Sequence, residues 1–369
     1  MKIVISGYVG KKITGIGRNL ISLLNNAKGG TEFVLYANED MKDEFKFDNP
    51  NVTVKTYAVS KNSSMGNLLW TTFVFPFVAL KEKADKALIP NFTLLLLKFK
   101  PTYVIMHDLI EYNVPNKFSK LKMFYRTKLA NPITAKLADR IVTISENSKS
   151  DIMKLLGVKE TKIDIVLCGV DQKKFSPAST KICNSVFSER GWPHDYLLYA
   201  GTIDHPGKNA MSVIKVFERL KASGDYSGQL ILAGMPGSGF EVVEEYVKQS
   251  KYKDEIIFGG FVTDEELVVL YTCCNVFCFI SLYEGFGIPP LEALACGAKV
   301  VVSNTSSLPE VVGDIGWSVD PYSLNEIEAT VKKVLTIVID DDYKTAVAVH
   351  LKKYEWSNLG KRFETVLTQ

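Results

Sequence analysis

Two carboxylates eight residues apart bracket a glycine and proline turn in Glu284-Gly285-Phe286-Gly287-Ile288-Pro289-Pro290-Leu291-Glu292. A carboxylate accepts two hydrogen bonds at once from vicinal hydroxyls, which suits a sugar or a ribose. Glu292 also fits a helix-start glutamate favoured by the dipole, but a capping box would need an acceptor side chain that Pro289 does not supply. Lys208 stands just before a helix on the Gly- and Pro-containing loop 201–209, where a cation and helix-start amides can lie against a phosphate. The segment Thr14-Gly15-Ile16-Gly17-Arg18 opens another helix and suits a phosphate or carboxylate; it suits a plain turn between strand and helix equally. His107-Asp108 closes a strand. That imidazole can bond a substrate hydroxyl with the carboxylate fixing its tautomer, or can be tied to backbone.

Each of these residues follows an apolar run. Strand-like stretches at 2–6, 32–37, 52–57, 87–89, 103–107, 140–145 and 163–167 alternate with helical patterns, including 65–83 and 119–138. The same alternation resumes at 195–200, 229–233, 256–258, 276–280 and 299–302. That predicts parallel sheets covered by helices on both faces, with ligands beyond the carboxyl ends of the strands. The run 276–280 feeds the Glu284 turn. After it Pro290 can occupy the first turn of a short helix and Gly297 can close it. Ser145 and Ser148 compete to cap the helix after the 140–145 strand, and Thr263 with Glu266 reads as a capping box with structural acids. Between 178 and 193 the pattern fades into polar residues, which predicts a linker. The expected organisation is therefore 1–178, 194–350 and a terminal segment, 351–369: two doubly wound, Rossmann-like α/β domains facing a central cleft.

A chain of 369 residues suits two domains, and 46% apolar with 23% charged residues excludes disorder. The net charge of +3 lies far from that of a dedicated nucleic-acid binder, so no nucleic-acid partner is expected. The first strand's spacing is not the dinucleotide fingerprint and the second strand ends without an acid, which disfavours NAD. Six scattered cysteines show no zinc spacing and read as free thiols of a reducing compartment; no metal site is expected. The start of the chain lacks a signal-peptide pattern and the apolar stretch 70–80 is half a bilayer crossing, so the expected location is cytoplasmic. Lysines gathered between Lys81 and Lys128 form either a wet surface or a contact with an anionic membrane. Residues 94–99 read equally as core or as lipid-facing.

With these motifs in order, the chain resembles the retaining glycosyltransferases of family 4, which have the GT-B fold. The resemblance rests on the Glu284-x7-Glu292 pattern and its flanks, 281–297. It is supported by 14–17, His107-Asp108-Leu109, 145–148, Gly201 to Lys208-Asn209 and Ser307-Leu308-Pro309-Glu310, and it spans nearly the whole chain. It implies transfer of a hexose, mannose or similar, from a GDP- or UDP-linked donor to a glycan or lipid-linked acceptor, with retained anomeric configuration, no metal and no cofactor beyond that co-substrate. By the resemblance, Glu284 meets the donor sugar and Glu292 the ribose. Gly285, Phe286 and Gly287 approach the sugar and diphosphate through their amides, and Lys208 stabilises the leaving diphosphate. His107 lies near the sugar, Gly201, Phe261 and Val262 border the donor, and Gly15 and Gly17 border phosphates or acceptor from the other domain. His107, Lys208 and Glu284 are the implied catalytic residues. The last helix, with Trp356 packing, returns to the first domain. One departure stands out: many relatives carry an arginine shortly before the lysine, and 202–207 holds none, leaving His205, another cation or helix amides to take its place. The rivals are a nucleotide-sugar epimerase, a phosphorylase, and a non-catalytic nucleotide-sugar or glycan binder on the same fold.

Overall fold

The structure, a computed structural model, describes residues 1–91, 93–114 and 118–369. The chain forms two compact units, Met1–Gly169 with Tyr354–Gln369, and Val170–Lys353.

In the first unit seven parallel strands lie in the order β3-β2-β1-β4-β5-β6-β7: β1 Lys2–Ser6, β2 Glu32–Asn38, β3 Val52–Tyr57, β4 Lys86–Ile89, β5 Thr102–Ile105, β6 Arg140–Thr143 and β7 Ile163–Ile165. The order reverses between β1 and β4, which pair directly (Val4 opposite Ala87). Inner strands such as β1 and β5 are buried along almost their whole length, as a sheet covered on both faces requires. One core gathers Ile3, Ile5, Phe33 and Leu35 under the helix Gly15–Asn26. Leu359, Phe363, Val366 and Leu367 of the terminal helix Trp356–Thr368 fill the same core. Gly360 allows that helix to approach, because a Cβ there would sit 2.4 Å from the carbonyl carbon of Asn26. The Glu364 carboxylate then accepts from the amides of Gly29 (2.5 Å) and Thr31 (2.9 Å).

Two helical rods of this unit contain a widened, π-helical turn. Ser64–Leu69, Trp70–Val74 and Phe75–Lys81 run on without a break, as do Lys120–Phe124, Tyr125–Ala130 and Asn131–Leu137; the middle piece of each is π-helical. In both, a proline (Pro76, Pro132) follows the wide turn by two residues. A proline ring inside a helix lacks the amide proton and crowds the carbonyl four residues back, and the wide turn accommodates both defects. In the loop 94–99, Leu95 is core while Leu96, Leu97 and Phe99 are exposed.

The second unit repeats the design with six parallel strands in the order β10-β9-β8-β11-β12-β13: β8 Tyr196–Ala200, β9 Gln229–Ala233, β10 Ile256–Gly260, β11 Val276–Phe279, β12 Val300–Ser303 and β13 Trp317–Val319. The reversal falls between β8 and β11. The boundary between the units differs from the expected one. Residues 178–193 are no linker: they hold the helix Thr180–Arg190, stopped by Gly191 in a left-handed conformation. It belongs to the second unit, with Arg190 bonded to Glu266 at 2.5 Å and Phe187 edge-on to Tyr196. This helix is hard to read because Cys183 and Phe187 alone make up its buried face. The first unit thus ends at Gly169 rather than 178, and the chain re-enters it at Tyr354 rather than 351. Of the two caps in competition, Ser145 wins: its hydroxyl accepts from the Ser148 amide at 3.0 Å. The Thr263–Glu266 capping box is formed in both directions. All six cysteines are free, and burial pushes Cys168 and Cys278 up to about 12.

Candidate active site

At the switch point of the second sheet, the loops leaving β8 and β11 lie side by side. Leu282 donates its amide to the Gly207 carbonyl at 2.9 Å. From these two loops come Lys208 and Glu284, and the structure brings them together: Nζ lies 2.7 Å from Oε1 and 2.8 Å from Oε2. The side chains keep 29% and 13% of their surface, so the pair is sheltered yet reachable. The lysine also stands 5.8 Å from the centre of the Phe279 ring, within range of a cation–π attraction. An α/β sheet offers its ligand crevice at such a reversal of strand order.

The loop carrying Glu284 is fastened by hydroxyls that follow β12. Ser303 donates to the Ser281 carbonyl (2.6 Å) and Thr305 to that of Leu282 (3.1 Å). Ser307 donates to the carbonyls of Glu284 (3.0 Å) and Phe286 (2.6 Å). Ser306, itself held at φ +55, accepts from the Glu284 amide through its hydroxyl at 3.0 Å. Of these four positioning residues Ser307 belongs to a motif the sequence offered, while Ser303 and Thr305 are not distinguished by type or spacing. Their signal is a run of Ser and Thr immediately after a buried strand.

Gly285, Phe286 and Gly287 are buried, and Gly287, at φ +111, begins the helix Ile288–Ala295. Pro290 lies in its first turn and Gly297 follows its end at φ +85. With Gly287 as the N-cap, Glu292 is the fifth helical residue, so the helix-start explanation of it does not apply. It is half-buried near Tyr271, whose phenol is pushed upward first by burial and then by the Glu292 carboxylate.

Around the pair, bare backbone dominates. Gly201 and Gly234 hold φ of +149 and +146, and a Cβ on Gly234 would fall 1.9 Å from the Gly201 carbonyl oxygen. Their missing side chains therefore serve the contact between the β8 and β9 loops. Gly260, at φ +63, faces open space. Beyond it Phe261 is exposed and Val262 half-buried, past the end of β10 on the same edge of the sheet. Asn209, at φ +53, sets the start of the helix Ala210–Ser223, and its amide group reaches the Pro321 carbonyl at 3.2 Å. In the stretch that lacks the arginine, the His205 Nδ1 is buried without a hydrogen-bond partner.

The first unit has its own crevice at its own switch point. A cavity of about 360 Å³ lies beyond β1 and β4, between Ser6, Tyr8 and Asn91 and the two rods that hold the π-helical turns. Two of its lining residues, Arg126 and Asn131, donate to the buried Glu111 carboxylate at 3.1 and 2.5 Å. His107 is elsewhere. Its ring is buried with Nε2 3.1 Å from the Pro90 carbonyl, which can only accept, so Nε2 carries the proton. The tautomer is set by backbone rather than by Asp108, which instead accepts from the Ile110 amide. Burial lowers the His107 pKa to about 4, so the ring is neutral at neutral pH. Gly15 is exposed at its helix start with open space beside it. Gly17 is buried instead, against Val9 and Ile13. Among the described residues no three His, Cys, Asp or Glu side chains cluster as a metal site.

Comparison with known proteins places the chain in a family. The description Glycosyl transferases group 1 matches residues 190–345, and Glycosyltransferase Family 4 matches residues 23–174. O-antigen chain mannosyltransferase B of Escherichia coli is 31% identical over 73% of this chain and 70% of its own. The chain belongs to the family 4 glycosyltransferases. Serotype-specific mannosyltransferase WbdA of E. coli is 28% identical over 70% of this chain, which spans only 32% of that relative's length. Among solved structures, Anabaena HepE, in complex with UDP and glucose, superposes with a TM-score of 0.75 at 17% identity, covering 100% of this chain and 99% of HepE. That likeness identifies the fold as GT-B.

Proposed function

We propose that this glycosyltransferase moves a hexose, mannose or similar, from a GDP- or UDP-linked donor to a glycan or lipid-linked acceptor at the inner face of a membrane, in the synthesis of a cell-surface polysaccharide or glycolipid, with retention at the anomeric carbon. The observation that carries the reading is the Lys208–Glu284 pair at the switch point of the second sheet. Each group is the other's partner until a donor supplies replacements for both. Sugar hydroxyls donate to the Glu284 carboxylate, and the diphosphate takes the lysine, whose charge counts most when the leaving group gains its own. Glu292 takes the ribose hydroxyls. The amides that open the helix Ala210–Ser223 add positive potential in place of a metal and of the missing arginine. The relatives O-antigen chain mannosyltransferase B and serotype-specific mannosyltransferase WbdA support mannose, and the first supports a polysaccharide product. The first unit's cavity receives the acceptor.

The test is the Lys208→Ala variant, assayed against a panel of nucleotide sugars with chelator present. We expect wild-type turnover to survive the chelator and the product to keep the donor's anomeric configuration by NMR. The variant's barrier should rise by about 2–4 kcal/mol, seen in kcat more than in KM. Near-normal transfer by Lys208→Ala would sink the assignment of the leaving group to this lysine.

A further inference from the structure

The helical rod 64–81 presents, between its polar ends Ser64 and Lys81, an outer face without polar groups. From Met65 to Leu80 every exposed residue is apolar: Met65, Leu69, Phe73, Val74, Phe77 and Leu80. The opposite face, with Trp70, Phe75 and Ala79, is already in the core, so the outer stripe is surplus to folding. Phe77 meets the Phe99 ring at 4.8 Å, which joins exposed Leu96 and Leu97 to the stripe. The rod 120–137, which lines the same cavity, adds Leu121 at 80% and Phe124 at 57% exposure. Soluble proteins rarely leave a continuous apolar patch of this kind uncovered.

The segments that build the patch carry no acid, and the flanking acids Glu82 and Asp139 are already bonded, Glu82 to Lys2 and Lys55 and Asp139 to Lys98. The chain carries 41 acidic residues in 369, yet 63–81, 86–107 and 118–138 contain none. Lys81, Lys120, Lys122 and Lys128 are exposed among the apolar side chains. A second copy of this face is a poor occupant, since a symmetric pair would set its lysines against one another while the flanking Glu82 and Asp139 are already paired with other lysines. Apolar tips ringed by lysines match an acyl boundary beneath anionic headgroups. No described helix is long and apolar enough to cross a bilayer, so the contact is a surface one.

We propose that this face docks the protein on an anionic phospholipid membrane, with Leu69, Phe73, Phe77 and Leu121 entering the acyl boundary and the lysines meeting headgroup phosphates. The cavity between the two rods then opens beside the bilayer, where Met65 and Lys122 belong to both surfaces. The inference stands apart from transfer chemistry, because docking needs neither donor nor acceptor.

The test is sedimentation of the full chain with vesicles of phosphatidylcholine alone or with about one third phosphatidylglycerol. We expect binding to the anionic vesicles that weakens with salt and falls about tenfold or more in Phe73→Glu/Leu121→Glu. Lys120→Gln and Lys128→Gln should each cost about fivefold and leave the apolar face untouched. Val338→Glu, 86% exposed in the second unit, should change nothing. The proposal is overturned by absent binding, by equal binding to neutral vesicles, or by indifference to the double variant. It is overturned equally by a vesicle-free dimer that the double variant dissolves. Failure here would leave the transfer reading untouched.

Discussion

Lys208 and Glu284 share a bidentate contact, so the proposed donor site requires the sugar and the diphosphate to divide a formed ion pair. At this partial exposure the pair itself contributes about 1 kcal/mol or less to stability, so exchanging its partners is inexpensive. Glu284, Glu292 and Lys208 were legible because strand-then-turn patterns put them on one edge of a sheet. The hydroxyls that hold Glu284 were not, because their partners are carbonyls about 22 residues away, and type alone does not reveal them. His107 is a buried residue tied to the Pro90 carbonyl, and its neutral state is built into the fold. Its folded pKa of about 4 lies below the ordinary 6.5, so between those values the unfolded chain holds more protons. Stability is therefore full above pH 6.5 and declines as pH falls towards 4, by up to about 3 kcal/mol from this residue. Urea titrations across that window should show the slope, and His107→Gln should flatten it; an unchanged slope would mean that the folded ring protonates normally.

Elements carry the site through their ends. Buried parallel strands were readable as apolar runs, and glycines at the ends of β1, β8, β9 and β10 marked the carboxyl edges of the sheets. What those glycines do was less readable. Gly234 separates two loops and has no room for a methyl group, whereas Gly260, at the next strand end, has open space. Gly234→Ala must displace the Gly201 loop and also hold an alanine at positive φ, so it should cost about 2–4 kcal/mol in a denaturant titration. Gly260→Ala, with backbone strain alone, should cost about 1 kcal/mol. Equal costs would show that the loop contact is not what Gly234 protects. The helix Thr180–Arg190 and the two π-helical turns escaped sequence reading for a related reason. The first buries only two side chains, and the others depend on how a proline is housed inside a rod.

At the scale of the molecule the chain leaves the first unit at Gly169 and returns at Tyr354, so that unit is complete only when its last sixteen residues have been made. The return was expected from the resemblance, but the energetics come from the packing. Phe363 is fully buried among Ile3, Ile5 and Leu35, while Glu364 satisfies two backbone amides of the turn after the first helix. The second unit has a separate core, centred on Phe217, Leu230 and Val276. Phe363→Ala removes a ring from the first core and should destabilise that unit by about 3–5 kcal/mol. Hydrogen exchange resolved by segment should then show faster opening throughout 1–169, the β1 and β4 amides included. Amides of β8, β9 and β11, around Lys208 and Glu284, should keep their protection, because they draw on the other core. Equal loss of protection in both units would mean that the two cores unfold as one, and the terminal helix would then stabilise the donor-side crevice as well as its own unit.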